Sequence, residues 1–167
     1  IKNFFGENSD EALKVYPPAE NFTFANNSEK FEKVKTVVND FLSADSISLA
    51  KAREKAGNKN TWLLVFEHVM PGPEALIWGA FHTSEVPYFL KHFSDLRKDL
   101  WRKEDYEVGE ALFERLVNFA KTGNPNSSDL PEWDTGIVYK IGTNEFKPKE
   151  FTKEKIDLWA KKYNWSK

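Results

Sequence analysis

Two apolar periods alternate along this chain. From Glu29 to Leu42, Phe31, Val34, Val37, Val38, Phe41 and Leu42 recur at helical spacing, with Lys30, Lys33 and Lys35 turned away from them. That pattern predicts an amphipathic helix. A second helix is expected over Ser46–Ala56, with Gly57 as its left-handed terminator. Tyr106–Lys121 carries the clearest helical pattern, with Leu112, Leu116, Phe119 and Ala120 on one face and Gly123 then Pro125 to stop it. Shorter helices are predicted over Ser9–Tyr16, ended by Pro17-Pro18, and after Thr152, where Ile156, Trp159, Ala160 and Tyr163 form one stripe. Glu20–Ser28 and Met70–Glu74 are loops, polar in the first case and rich in Pro and Gly in the second. Ser84–Leu90 has room for a short helix, with Ser84 capping it and Pro87 in its first turn.

Strand patterns are fewer. Trp62-Leu63-Leu64-Val65-Phe66 is a continuous apolar run, the pattern of a strand covered on both faces. Ile137–Ile141 is a second strand, followed by the start of a hairpin at Gly142-Thr143-Asn144. Strands set between long helices predict an α/β layer. Two or three strands are too few to make a sheet for five or six helices, so the rest of the sheet is expected on sequence outside this chain.

Composition narrows the classes. The 167 residues are 40% apolar, with 14 Phe and 6 Trp, ample for a buried core. The net charge of -2 is spread along the chain; there is no basic stripe to hold nucleic acid and no like-charge tail. No apolar run has the length of a membrane span. With no Cys, disulfides, thiolate metal sites and a Cys nucleophile are excluded. The chain opens Ile1-Lys2-Asn3, which reads as an internal or processed start. N-x-Ser/Thr sequons stand at Asn21, Asn26, Asn126 and Asn164. They point toward an extracytoplasmic setting, with polar loop composition as the other account.

Among the residues able to do chemistry, His82 and Glu85 stand together in Gly79-Ala80-Phe81-His82-Thr83-Ser84-Glu85-Val86-Pro87-Tyr88-Phe89. On their own they have two readings, an oriented general base or a satisfied His in a short loop. His68 and His92 have no metal-ligand spacing to each other or to a carboxylate, and no metal or other cofactor is expected.

Other segments give the pair a context. In order along the chain stand Ala12–Pro17, Asp40-Phe41-Leu42, Ala50–Gly57, and the Trp62–Phe66 strand with His68 and Pro71. The His82 run follows, then Asn118-Phe119-Ala120-Lys121-Thr122-Gly123-Asn124-Pro125-Asn126 with Trp133. Together they resemble the C-terminal part of the type-B carboxylesterase/cholinesterase family, in a form closer to its bacterial and fungal members. The family usually has Gly where Thr83 stands. The resemblance implies that residues 1–167 are the C-terminal segment of a single α/β-hydrolase domain, helix-rich, with two or three strands of a larger sheet. It implies that His82 is the base of a Ser-His-acid triad, that Glu85 is a supporting carboxylate behind the site, and that His68 is non-catalytic. Trp78 and Phe81 are candidates to line the acyl or alcohol pocket, with core packing as the alternative.

No G-x-S-x-G elbow and no Gly-rich oxyanion run occurs in the chain. Asp10 and Glu11 fit the first turn of a helix better than the family's acid. The Ser and the acid are therefore expected from an upstream N-terminal portion of the same protein. The implied reaction is hydrolysis of a small-molecule carboxylic ester through an acyl-enzyme, by a chain that is inactive alone. A non-catalytic adhesion or binding protein on the same fold is the alternative, and an independent α+β interaction domain a third reading.

Overall fold

The computed structural model describes residues 2–18, 27–73 and 75–165, with the side chains of 27–29 and 76 excepted. The chain forms two compact units, Ile1–Gly57 with Glu150–Lys167, and Asn58–Lys149.

The first unit is helical. It contains α1 (Lys2–Phe5), α2 (Ser9–Val15), α3 (Asn27–Lys55) and α7 (Lys153–Tyr163), with a 3-10 turn at Gly6–Asn8. Its core is Phe5, Ala12, Tyr16, Ala44, Leu158 and Trp159. The polar groups in this core satisfy one another. The Trp159 indole donates to the Tyr16 hydroxyl at 3.2 Å, and that hydroxyl donates to Asp40 Oδ2 at 3.1 Å. Lys155 Nζ pairs with the same carboxylate oxygen at 2.5 Å. A buried carboxylate is tolerated when it is paired and hydrogen-bonded in this way. Burial first, then the Asp40 charge, pushes the Tyr16 phenol far above its ordinary value.

Two expectations fail in this unit. The helices predicted over Glu29–Leu42 and Ser46–Ala56 are one continuous element. Ser43, Ser46 and Ser48 are accommodated inside it, each hydroxyl donating to the carbonyl four residues earlier: Ser43 to Asn39, Ser46 to Leu42 and Ser48 to Ala44. The polar loop expected over Glu20–Ser28 lies outside the described residues up to 26, and 27 and 28 already belong to α3. The second failure is the stripe. Asp40, Ser43, Ala44 and Ala50 are buried, whereas Phe31, Val34, Val38, Leu42 and Leu49 are exposed. At the C-terminal end the prediction holds, since Thr152 accepts from the Lys155 amide at the start of α7.

The second unit has a three-stranded mixed sheet in the order β1-β2-β3, with β1 at Leu63–Phe66, β2 at Val138–Gly142 and β3 at Glu145–Pro148. β1 and β2 are parallel, with Leu63 opposite Val138 and Phe66 opposite Ile141. β2 and β3 form the expected hairpin, with Gly142 opposite Glu145 and Asn144 in the left-handed region at φ 60°. β1 is only half-buried, not covered on both faces as its run of apolar residues predicts. Among the described residues, no strand pairs with its other edge.

This unit also holds α4 (Ala75–Trp78), α5 (Val86–Phe89) and α6 (Lys103–Thr122), with a 3-10 turn at Asp95–Arg97. α6 stops at Gly123, φ 74°, whose amide bonds the Phe119 carbonyl at 2.8 Å. Its buried face is not the apolar stripe of the sequence. Asp105, Val108, Gly109, Leu112 and Arg115 are inside, while Leu116 and Phe119 are exposed. Gly109 is needed for contact, since an added Cβ would lie 2.6 Å from the Phe93 ring.

Beyond α6 the Asn126 amide clamps Trp133, accepting from its backbone N–H at 2.8 Å and donating to its carbonyl at 3.0 Å. That carbonyl also takes the Trp62 indole N–H, at 2.9 Å. Nearby, the buried Arg115 donates to the Pro131 carbonyl at 2.6 Å and lies 4.0 Å from the Phe146 ring centroid. Burial lowers its pKa to about 10.

Candidate functional site

The connection leaving the C-terminal end of β1 carries the candidate residues. It runs past His68, through α4, into a turn over residues 82–85 and then into α5. Gly79 enters the left-handed region at φ 61° after α4. The turn is closed by Ser84 N–H to Phe81 C=O at 3.0 Å and Val86 N–H to Thr83 C=O at 3.2 Å. His82 stands on this turn, exposed. Thr83 has φ 74°. A β-branched residue rarely takes that conformation, and Gly takes it freely.

The other candidates lie close by in sequence. Glu85 is half-buried at the N-cap of α5 and makes no side-chain capping bond. Ser84 does not cap the helix as predicted. It lies one residue too early, is 1% exposed, and its hydroxyl has no partner among the described residues. Trp78 is 51% exposed at the end of α4, whereas Phe81 is half-buried. His92 is exposed, as a surface residue should be.

Against Tyr88 of α5 lies a cluster that the sequence does not mark. His68 is fully buried between two partners. Its Nε2 lies 2.6 Å from Asp105 Oδ1, and its Nδ1 lies 2.9 Å from the Thr143 hydroxyl. The tautomer that satisfies both contacts carries its proton on Nε2 and accepts from Thr143 at Nδ1. Asp105 is also fully buried, in the first turn of α6. Besides His68, its Oδ1 accepts from the Tyr88 hydroxyl at 2.8 Å and from Arg102 Nη2 at 3.1 Å. Its Oδ2 accepts from the Arg102 amide at 2.7 Å and from Arg102 Nε at 2.9 Å.

Burial alone would raise the Asp105 pKa. The hydrogen bonds from Arg102, His68 and Tyr88 outweigh it and hold the group down at about 2. Burial first, then the Asp105 hydrogen bond, pushes the Tyr88 phenol well above its ordinary value. The Arg102 guanidinium is raised by its bond to Asp105.

Sequence reasoning missed Asp105, Tyr88 and Arg102. One local signal was available: Asp105 sits three residues after Arg102 at the start of a strong helical pattern, where a carboxylate can accept the N-cap amide. The partners from the segment after β1, from α5 and from the hairpin turn carry no such mark.

A helix-rich chain with a mixed sheet, β1 and β2 parallel and β3 antiparallel, is of the α/β class. The carboxylesterase family model matches residues 5–159, and the chain belongs to that family. It is 33% identical to human bile salt-activated lipase over 114 residues, 64% of this chain and 15% of that protein. It is 32% identical to the rat bile salt-activated lipase over 93 residues, 54% of this chain and again 15% of the relative. The chain thus spans about 15% of the length of these relatives. The helix-rich units and mixed sheet are those of a partial α/β-hydrolase fold. No helix among the described residues is long and apolar enough to cross a membrane.

Proposed function

We propose that the protein is a carboxylic-ester hydrolase of the serine type. In this reading His82 is the general base and acid, working with a Ser and a carboxylate from an N-terminal portion of the same protein. Residues 1–167 are then the C-terminal segment of one α/β-hydrolase domain. Membership of the carboxylesterase family supports the class of reaction. The observation that carries the assignment of His82 is its exposed place on a tight turn, in the connection after the C-terminal end of parallel strand β1. In open α/β sheets, reacting groups gather outside that end of the strands.

In the reaction, the Ser oxygen attacks the ester carbonyl carbon and its proton passes to the neutral imidazole of His82. The imidazolium returns that proton to the departing alkoxide, leaving an acyl-Ser. Water then attacks the acyl carbon, gives a proton to His82, and the Ser leaves with that proton. The acid holds the imidazole in one tautomer and stabilises its charged form. The substrate is a small-molecule carboxylic ester. Exposed Trp78 and neighbouring Phe81 supply apolar surface for one side of it. Glu85, half-buried three residues after His82, is the candidate for a supporting carboxylate behind the site.

The test uses the complete protein and a short-chain aryl ester. His82→Ala should lower kcat about a thousandfold or more, roughly 4 kcal/mol of transition-state stabilisation. His92→Ala, on the exposed surface, should leave turnover within a few-fold. If the two variants keep similar activity, the assignment of His82 is wrong. A native protein with no esterase activity and another residue at the Ser position would instead favour a binding protein on this fold.

A further inference from the structure

The buried cluster around Asp105 lies outside the catalytic assignment, yet it is tied to the His82 turn. Tyr88 is the connecting residue. It is fully buried on α5, six positions after His82. Its ring packs against Phe66 of β1, 5.1 Å between centroids, and against His68, also at 5.1 Å. Its hydroxyl ends on Asp105 Oδ1 at 2.8 Å. The backbone hands this anchoring on to the turn: Tyr88 N–H bonds Glu85 C=O at 3.1 Å, and Val86 N–H bonds Thr83 C=O at 3.2 Å. With Ser84 N–H on Phe81 C=O at 3.0 Å, these bonds overlap from the anchor back past His82, so a displacement of one end is passed to the other.

The carboxylate at the other end is itself buried and bonded at both oxygens. Asp105 is held by Arg102 and His68, and His68 is held by Thr143. Arg102 also donates to the Val69 carbonyl at 2.8 Å, fixing the chain just beyond His68. One anion therefore joins the exit of β1, the start of α6, the β2–β3 turn and α5. Thr83 holds a left-handed conformation that a β-branched side chain disfavours, and such a conformation persists only where the surroundings over-determine it.

We infer that Tyr88 and Asp105 are positioning residues for His82, the phenol–carboxylate bond setting where α5 starts and so where the imidazole stands. This inference rests on His82 as the triad base. Neither residue touches substrate. Their effect is on the fraction of molecules whose imidazole is placed to take the Ser proton, and it falls on kcat and not on substrate binding. A displacement of an ångström at the reacting group has large kinetic effects.

The experiment compares two conservative variants of the complete protein, Tyr88→Phe and Tyr139→Phe. Each loses one tyrosine–carboxylate hydrogen bond of similar length: Tyr88 to Asp105 at 2.8 Å, and Tyr139 to Asp134 at 2.7 Å in the same unit but away from the turn. Tyr88→Phe should lower kcat about tenfold, with KM within twofold, while Tyr139→Phe leaves both within twofold. Amide exchange at Thr83–Leu90 should quicken in Tyr88→Phe and stay unchanged in Tyr139→Phe. Equal kinetics and equal exchange in the two variants would overturn the inference, even with a His82→Ala variant that is inactive. An active His82→Ala variant would overturn both the inference and the reading it rests on. If Tyr88→Phe fails to fold, native-state exchange in the unmodified protein decides. Thr83–Leu90 amides opening with the same free energy as those of α6 support the inference, and independent opening refutes it.

Discussion

Replacing Asp105 with Asn changes one atom and removes the charge on which the buried cluster converges. In the native chain that carboxylate accepts five hydrogen bonds, from Arg102 (three), His68 and Tyr88. Its pKa falls from the ordinary 3.8 to about 2. The folded group binds its proton less tightly than the unfolded one, so its stabilisation is present above about pH 4 and is lost as pH falls toward 2. A shift of that size is worth about 2 kcal/mol at neutral pH. An amide in its place also points an N–H₂ at a donor, which adds about 1–2 kcal/mol for an unsatisfied buried group.

Asp105→Asn should therefore cost about 3–4 kcal/mol at pH 7, a large share of the roughly 5–15 kcal/mol typical of a domain. Equilibrium urea unfolding of the complete protein, followed by tryptophan fluorescence at pH 7 and pH 3, measures it. At pH 3 the carboxylate's own share in the native chain should shrink to about half, narrowing the gap between the two proteins by about 1 kcal/mol. A difference below about 1 kcal/mol at pH 7, or one that does not change between pH 7 and pH 3, would refute the account of Asp105 as an ionised hub.

Other outcomes are expected at separate places. Thr83→Gly should raise stability by up to about 1 kcal/mol. It relieves a left-handed β-branched residue, offset in part by the greater freedom of Gly in the unfolded chain, and a melting temperature that falls would contradict the strained geometry. Trp159→Ala should cost about 3–5 kcal/mol, because the indole is 1% exposed and bonded to Tyr16; a loss under about 1 kcal/mol in urea unfolding would show that this helical core is loosely packed. The pure 167-residue chain should not turn over p-nitrophenyl acetate above a His82→Ala control, since it has no elbow Ser; turnover that His82→Ala abolishes would overturn the proposal.

Local chemistry makes part of this protein legible in the sequence alone. Pro17-Pro18, Gly123 and Thr152 mark helix ends, and each acts through atoms within a few residues. The hairpin at Gly142–Asn144 and the apolar strand after Thr61 are local in the same sense. The His82 run is legible as a turn, and the proposal for His82 starts from its position among the family's other segments. Thr83 is a case in which sequence and structure meet. The residue that departs from the usual Gly is one that the backbone holds at positive φ.

What required the tertiary structure involves partners far apart in the chain. Much of the apolar stripe of α3 stays exposed while Val37 and Phe41 are half-buried, because burial depends on which face meets a neighbour and not on which face is greasiest. Asp105 looks like one of 26 acidic residues until His68, 37 positions earlier, and Tyr88, 17 earlier, come within hydrogen-bond reach. A sequence records each residue's capacity to donate or accept. Which of those capacities are used inside the core is set by long-range contacts, whose closure the chain achieves only when the whole unit folds.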